Sequence, residues 1–168
     1  LLLLAVEPVL DAADAAAARR ALQGSGLVVA LTPFRDAAVD NADVLLPIAP
    51  FTETAGSFVN AEGRLQSFTG VVKPLGDTRP AWKVLRVLGN LLGLPGFDYL
   101  SSEEIRDELR KEIGEYAPNP VAGDFAPGRL AALDATRNVG IYAVDALVRR
   151  SRPLQETAAG RSARGGDA

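Results

Sequence analysis

What chemistry this 168-residue chain could do rests on four polar residues. Glu53, Asn60, Glu62 and Arg64 stand in the stretch NADVLLPIAPFTETAGSFVNAEGRLQ, residues 41–66, around Gly56 and Gly63 and just past an apolar run. Glu53 and Glu62 are a candidate carboxylate pair. General acid–base work needs one carboxyl with a raised pKa, however, and an arginine nearby lowers both. Ser57 and Thr54 could be nucleophiles, but the chain holds no histidine to activate them. Carboxylates with Asn60 could hold a hard cation, yet their spacing matches no calcium loop. Taken alone, these residues favour structure over chemistry. Arg64 is expected to fork onto Glu53 or Glu62 as a partly buried clamp, Asn60 to tie the turn, and the loop to seal a sheet edge. Location keeps a binding role open, because α/β sheets place ligands just beyond the carboxyl ends of their strands.

Composition narrows the classes further. Hydrophobic residues make up 48% and charged ones 23%, an ordinary balance for one globular domain. A net charge of -3 provides no broad basic surface for nucleic acid or an anionic membrane. Without cysteine there is no disulfide, no thiolate nucleophile and no iron–sulfur ligation within these residues. Without histidine the commonest general base and zinc ligand are missing too. No metal ligand set, catalytic group or cofactor is therefore expected here.

The elements that must position the loop can be read along the chain. LLLLAVEP opens on an apolar run with no basic flank, and it stops at Glu7, far short of the ~20 residues a bilayer requires. With no methionine anywhere, the chain reads as a fragment. Leu1–Val6 would then be a buried strand cut from preceding structure, leaving an apolar face or open edge there. Asp11 can cap an alanine-rich helix to about Gln23, which Gly24 and Gly26 stop. Leu27–Leu31 and Val44–Leu46 come next as apolar strands without period-two alternation, the pattern of a parallel sheet covered on both faces. Pro47 and Pro50 break the chain, and Ser57–Asn60 with Arg64–Thr69 suggest a hairpin turning at Gly63. A helix over Arg79–Leu92, capped by Asp77 or Thr78, presents Trp82, Leu85, Leu88 and Leu92 on one face. A second, over Ser101–Ile113, opens with a Ser101–Glu104 capping box, and its Glu103, Arg106, Asp107 and Arg110 suggest ion pairs at helical spacing.

The fold class expected is thus α/β: a partial parallel sheet with flanking helices, then a hairpin, two helices and an irregular tail. Residues 1–113 form the folded part, 114–139 a Pro/Gly-rich linker or surface arm, 140–152 a docking segment and 153–168 a disordered tail. Within the docking segment, IYAVDALVRR (Ile141–Arg150) suits a strand or a short helix equally.

ADVLLP followed by FTETAGSFVNAEGRLQ, with Pro74, Gly76, Arg79 and Trp82, resembles the signature of the molybdopterin oxidoreductase superfamily. In that signature an apolar strand leads to a T-E-x-x-G-x-x-x-N-x-E-G-R loop and a tryptophan-bearing helix. LLLLAVEP, SFVNAEGRLQ and IYAVDALVRR together are most similar to one branch, the large iron–sulfur subunit of bacterial NADH–quinone oxidoreductase, respiratory complex I. That resemblance implies a molybdopterin oxidoreductase-like domain that has lost its cofactor and become scaffold. It implies iron–sulfur clusters elsewhere in the full-length subunit and other peripheral-arm subunits of complex I as partners. It also implies a place at the cytoplasmic face of the bacterial inner membrane, peripheral to it and with no direct insertion. Thr52, Glu53, Gly56, Asn60, Glu62, Gly63 and Arg64 match the motif and are expected to be structural determinants. Ala55 and Ser57 fall where relatives vary. The alternative is a molybdopterin-dependent oxidoreductase such as a formate dehydrogenase relative. A free-standing binding module of the same descent is a third reading.

Overall fold

The computed structural model describes residues 1–36, 40–60, 62–114 and 140–164. They fall into two compact units, one of Leu1–Val6 with Gly24–Val121 and one of Glu7–Gln23 with Ala122–Ala168.

The first unit is built on three parallel strands, β1 (Leu2–Leu4), β2 (Val29–Thr32) and β3 (Val44–Pro47), in that spatial order. Leu3 lies beside Ala30, and Ala30 beside Leu45. Since β2 has a neighbour on each side, it carries the core: Val28, Ala30 and Leu31 are buried, Leu31 to 1% exposure. Ile48 and Ala49 extend that core past β3, where Ile48 bridges Arg79. The opening leucine run is a strand, as its composition suggests, but it is not covered on both faces. Leu1, Leu2, Leu4 and Val6 are 56%, 53%, 43% and 44% exposed, because β1 is an edge strand paired only with β2 among the described residues.

Past the sheet, β4 (Gly56–Val59) and β5 (Leu65–Phe68) form the expected antiparallel hairpin, with Gly63 at a φ of 80° in its turn. Phe58 and Phe68 stack at 5.4 Å across it. Helix α3 (Ala81–Leu91) starts later than expected, and neither Asp77 nor Thr78 caps it. Pro80 is the N-cap residue, while the Thr78 hydroxyl donates to the Leu75 carbonyl at 2.7 Å. Gly89 lets α3 lie against Phe97, since a Cβ there would sit 2.3 Å from the ring. Helix α4 (Ser102–Ile113) is capped by Ser101, whose hydroxyl accepts from the Glu104 amide at 3.2 Å. Glu104 reaches back one residue further than a capping box requires, to the Leu100 amide at 2.7 Å. The ion pair on this helix joins the neighbours Arg106 and Asp107 rather than residues a turn apart.

In the second unit the helix expected from Asp11 to Gln23 is broken in two, α1 (Pro8–Asp11) and α2 (Ala15–Gln23). Asp14 takes the capping role, accepting from the Ala17 amide at 2.8 Å. Asp11 turns the other way and accepts from the Glu7 amide at 2.7 Å. Ile141–Arg150 is neither strand nor α-helix. It is a run of turns ending in a 3₁₀ turn at Val148–Arg150, because the Asp145 carboxylate takes the amides of Leu147 and Val148, each at 2.9 Å. The tail expected to be disordered is helical as far as Arg164, in α5 (Arg152–Gln155) and α6 (Ala158–Arg164). The Thr157 hydroxyl opens α6 by accepting from the Gly160 amide at 3.1 Å. Of the linker expected at 114–139, residues 115–139 lie outside the described residues, as do 165–168.

A charged cluster sits in this second unit. Glu7 is only 6% exposed, and its carboxylate meets Arg149 at 3.0 Å and Arg150 at 2.6 Å. The Arg150 approach is a charge pairing rather than an aligned hydrogen bond. Arg149 also binds the Asp11 carboxylate, at 2.5 Å. Burial acts to raise the Asp11 pKa. The hydrogen bonds from Arg149 and the Glu7 amide, with the charges of Arg149 and Arg150, outweigh it and hold the carboxyl below the ordinary 3.8.

Both the helix packing and the charged cluster are open to measurement. Gly89→Ala must displace the Phe97 ring and is expected to destabilise the chain by ~1–3 kcal/mol, read by thermal melting. The folded-state pKa of Asp11 is lowered, so its stabilisation is fully present above the unfolded value of 3.8 and is lost as pH falls through the folded value. Acid titration of helix content should show a component below the ordinary aspartate range that Asp11→Asn lacks.

Candidate functional site

The motif loop begins where β3 stops. Pro47 is the last residue of β3, and Pro50 precedes a 3₁₀ turn at Phe51–Glu53. Neither proline has an N–H to give, so the chain leaves the sheet there and must satisfy its backbone by other means. The Thr52 carbonyl accepts from the Val71 and Val72 amides at 2.8 and 3.3 Å. The Glu53 carboxylate accepts from the Leu75 amide at 2.9 Å. Gly70 completes this crossing, since a Cβ would stand 3.0 Å from the Thr54 nitrogen. Thr52 and Glu53 thus fasten residues 71–75 onto the chain leaving β3.

Asn60, Glu62, Gly63 and Arg64 do a different job about twenty ångströms of chain away, at the hairpin tip. The Asn60 side-chain oxygen accepts from the amides of Glu62 and Arg64, at 3.0 and 2.8 Å. The Gly63 amide donates to the Asn60 carbonyl at 2.9 Å, closing the turn its positive φ permits. Gly56, opposite Phe68 in the register, lacks a Cβ that would stand 2.6 Å from the Phe68 ring. The matched residues thus act at two separate places, Thr52 and Glu53 beside β3 and Asn60 to Arg64 at the hairpin tip, with Gly56 against Phe68.

The arginine clamp expected here is not formed. Arg64 reaches Glu62 at 4.0 Å, with side chains 71% and 77% exposed, and Glu53 is engaged by Leu75 instead. The physical reason is the hairpin itself: it carries Arg64 out to the exposed tip, away from the chain beside β3. A surface pair of that length is worth ~0–1 kcal/mol, not the ~3–5 kcal/mol cost of breaking a buried one. Glu53 and Glu62, the candidate acid–base pair, serve different ends of the loop. The Tyr99 phenol is pushed up, first by its hydrogen bond to Glu108, which takes it further from proton transfer near neutral pH.

Beside the hairpin lies a cavity of about 470 Å³ between Val59, Leu65 and Phe68, Trp82 of α3, and Ile105 and Leu109 of α4. Its walls are mainly apolar. A pterin cofactor carrying phosphate would need converging donors, yet the motif's polar atoms either bind their own backbone or stand in solvent. Polar groups outside the motif line the cavity as well, among them Ser67 of the hairpin and Arg106 and Arg110 of α4. No group of three or more His, Cys, Asp or Glu that could hold a metal lies among them. No helix among them is long and apolar enough to cross a membrane.

A parallel α/β sheet whose third strand leads through prolines into this threonine–glutamate loop and hairpin defines a class of oxidoreductase domain. Residues 1–91, more than half of the chain, match the Molybdopterin oxidoreductase family, and the chain belongs to that family. Among curated proteins it is similar to three from Staphylococcus aureus, of strains bovine RF122 / ET3-1, USA300 and NCTC 8325 / PS 47, each named "Putative formate dehydrogenase". Each is 40% identical over 76 residues, which is 45% of this chain and 8% of the relative. The chain thus spans a small part of the length of these relatives. Sequence reasoning found the family from this loop, but it did not find the buried charge, which lies at Glu7. The signal was a lone carboxylate closing an apolar run and a double arginine closing another.

Asn60→Ala removes the acceptor of two amides and is expected to cost ~0.5–1.5 kcal/mol, whereas Arg64→Ala should stay within the ~0–1 kcal/mol of an exposed pair. Chemical denaturation of the two variants beside the unaltered chain checks the order.

Proposed function

We propose that this chain serves as cofactor-free framework within a larger oxidoreductase of the molybdopterin family. The observation that carries the reading is the use of the motif: the Glu53 and Asn60 side chains and the Thr52 carbonyl all bind backbone amides. Such residues hold a loop in place and contribute no acid, base or nucleophile.

Two parent enzymes have support. The similarity over 76 residues to proteins named "Putative formate dehydrogenase" supports a formate dehydrogenase-like oxidoreductase. The second reading is the large iron–sulfur subunit of NADH–quinone oxidoreductase, in which this domain is scaffold and the clusters lie elsewhere in the subunit. Two observations favour it. The motif's polar side chains turn to backbone or to solvent, and two of the three stretches behind the resemblance, LLLLAVEP and IYAVDALVRR, supply the residues Glu7, Arg149 and Arg150 that pair with one another. On this reading the chain sits among the other peripheral-arm subunits at the cytoplasmic face of the bacterial inner membrane, without entering it.

Purification of the parent enzyme through a tag on this chain separates the two. Stoichiometric molybdenum with formate-dependent dye reduction marks the first, and iron without molybdenum plus NADH-dependent quinone reduction marks the second. In either parent, Glu53→Gln and Asn60→Ala are expected to lower yield or melting temperature while kcat of the assembled enzyme is kept. A loss of ~10²-fold in kcat with assembly intact, the size expected for removal of an acid–base group, would overturn the framework reading.

A further inference from the structure

We propose that residues 140–155 are a strap, latched through Arg149 and Arg150 onto a carboxylate seat formed by Glu7 and Asp11, and that the latch opens without unfolding the rest of the chain. The seat therefore reads a paired-arginine segment, and its occupant is this chain's own strap. The latch is indifferent to which parent enzyme carries it.

Apolar burial holds the strap only in part: none of its aliphatic side chains is fully buried, Ile141, Val144 and Leu147 being exposed and Val148 and Leu154 half-buried. The strap keeps its shape by local bonds as well. Asp145 takes the amides of Leu147 and Val148, and the Gln155 side chain donates to the carbonyls of Tyr142 and Val148 at 3.1 and 3.2 Å. Those bonds also prepare the arginines. Arg149 donates to the Val144 carbonyl at 3.2 Å and Arg150 to the Ala146 carbonyl at 2.9 Å, which aims both guanidinium groups before they meet the seat.

The seat is equally prepared. The Glu7 amide donates to Asp11, so one turn of chain presents two carboxylates side by side. Arg149 spans them, binding Glu7 with one terminal nitrogen and Asp11 with the other, while Arg150 takes the remaining Glu7 oxygen. Partner residues are 138 to 143 positions apart in sequence, so the contact is tertiary throughout. Two carboxylates against two guanidinium groups leave no net charge when latched. When the strap leaves, both pairs return to water, where each ion is well solvated; that recovery of hydration offsets most of the lost attraction. A contact made of such terms is specific in geometry yet small in net energy, as a releasable latch must be.

Amide hydrogen exchange on the full 168-residue chain tests the latch. Arg149→Ala is expected to raise exchange over 142–155 and 7–11 by ~10-fold or more, with Val29–Thr32 as protected as in the unaltered chain. Asp11→Asn, which leaves Glu7 paired, should give a smaller rise over the same residues. A synthetic peptide of residues 140–156 added to the Arg149→Ala chain should restore protection at 7–11. The same peptide with both arginines replaced by alanine should not. Unchanged protection over 142–155 would overturn the latch, as would its loss together with that of Val29–Thr32. An arginine-bearing peptide that restores nothing, or an alanine peptide that works equally well, would overturn the seat.

Discussion

Every peptide group that leaves the sheet after β3 must find a new hydrogen-bond partner, and that obligation shapes the loop, the hairpin and the crossing beyond it in the first unit. Inside the sheet the ladder meets it automatically. At Pro47 and Pro50 the ladder stops, and new partners come from backbone that returns from later in the chain. The Thr52 carbonyl accepts the amides of Val71 and Val72, the Glu53 carboxylate that of Leu75, and the Asn60 side chain closes the hairpin between them. A polar loop at the carboxyl end of a strand is where a ligand site would be sought. In this chain the same polarity is consumed by backbone.

The second unit faces a different constraint, charge in a place with little water. Glu7 is buried, and a lone carboxylate there would be costly to keep ionised. Two guanidinium groups and an aspartate turn that liability into a contact with a defined geometry. No large apolar side chain of the 140–155 segment is fully buried, so the fork of an arginine adds a defined geometry to its partial packing.

These two solutions bear on function in the same way. A family whose name refers to a pterin oxidoreductase can keep a loop for what it does to the chain rather than to a substrate. The glutamate and asparagine side chains of the motif, and the carbonyl of its threonine, are placed by the strand and hairpin to bind amides. The cavity beside them is mainly apolar, and its charged lining, Arg106 and Arg110, comes from α4 rather than from the motif. Framework in a larger electron-transfer enzyme is the role such a region can fill.

Some of this was legible in the residues themselves. Apolar runs without alternation announced parallel strands, Gly63 announced the hairpin turn, and Ser101 with Glu104 announced the start of a helix. Each is a local choice, made by steric freedom or by a hydrogen bond only a few residues long. The loop's identity was legible for the same reason, because its residues act within their own neighbourhood. What the sequence could not settle were the choices between partners. Asp11 and Asp14 are both competent caps, and the helix starts at Asp14 because Asp11 is drawn to the Glu7 amide and to Arg149. Arg64 had two carboxylates within its reach in sequence and buries against neither, because the hairpin carries it to an exposed tip. Residues 153–164 read as disordered by composition, yet capping bonds made by Thr157 and its neighbours fold them into short helices. Glu7 meets Arg149 only when residues 142 positions apart are brought together, and no local pattern encodes such a distance. Local stereochemistry is written residue by residue, whereas a charge finds its partner only in the folded chain.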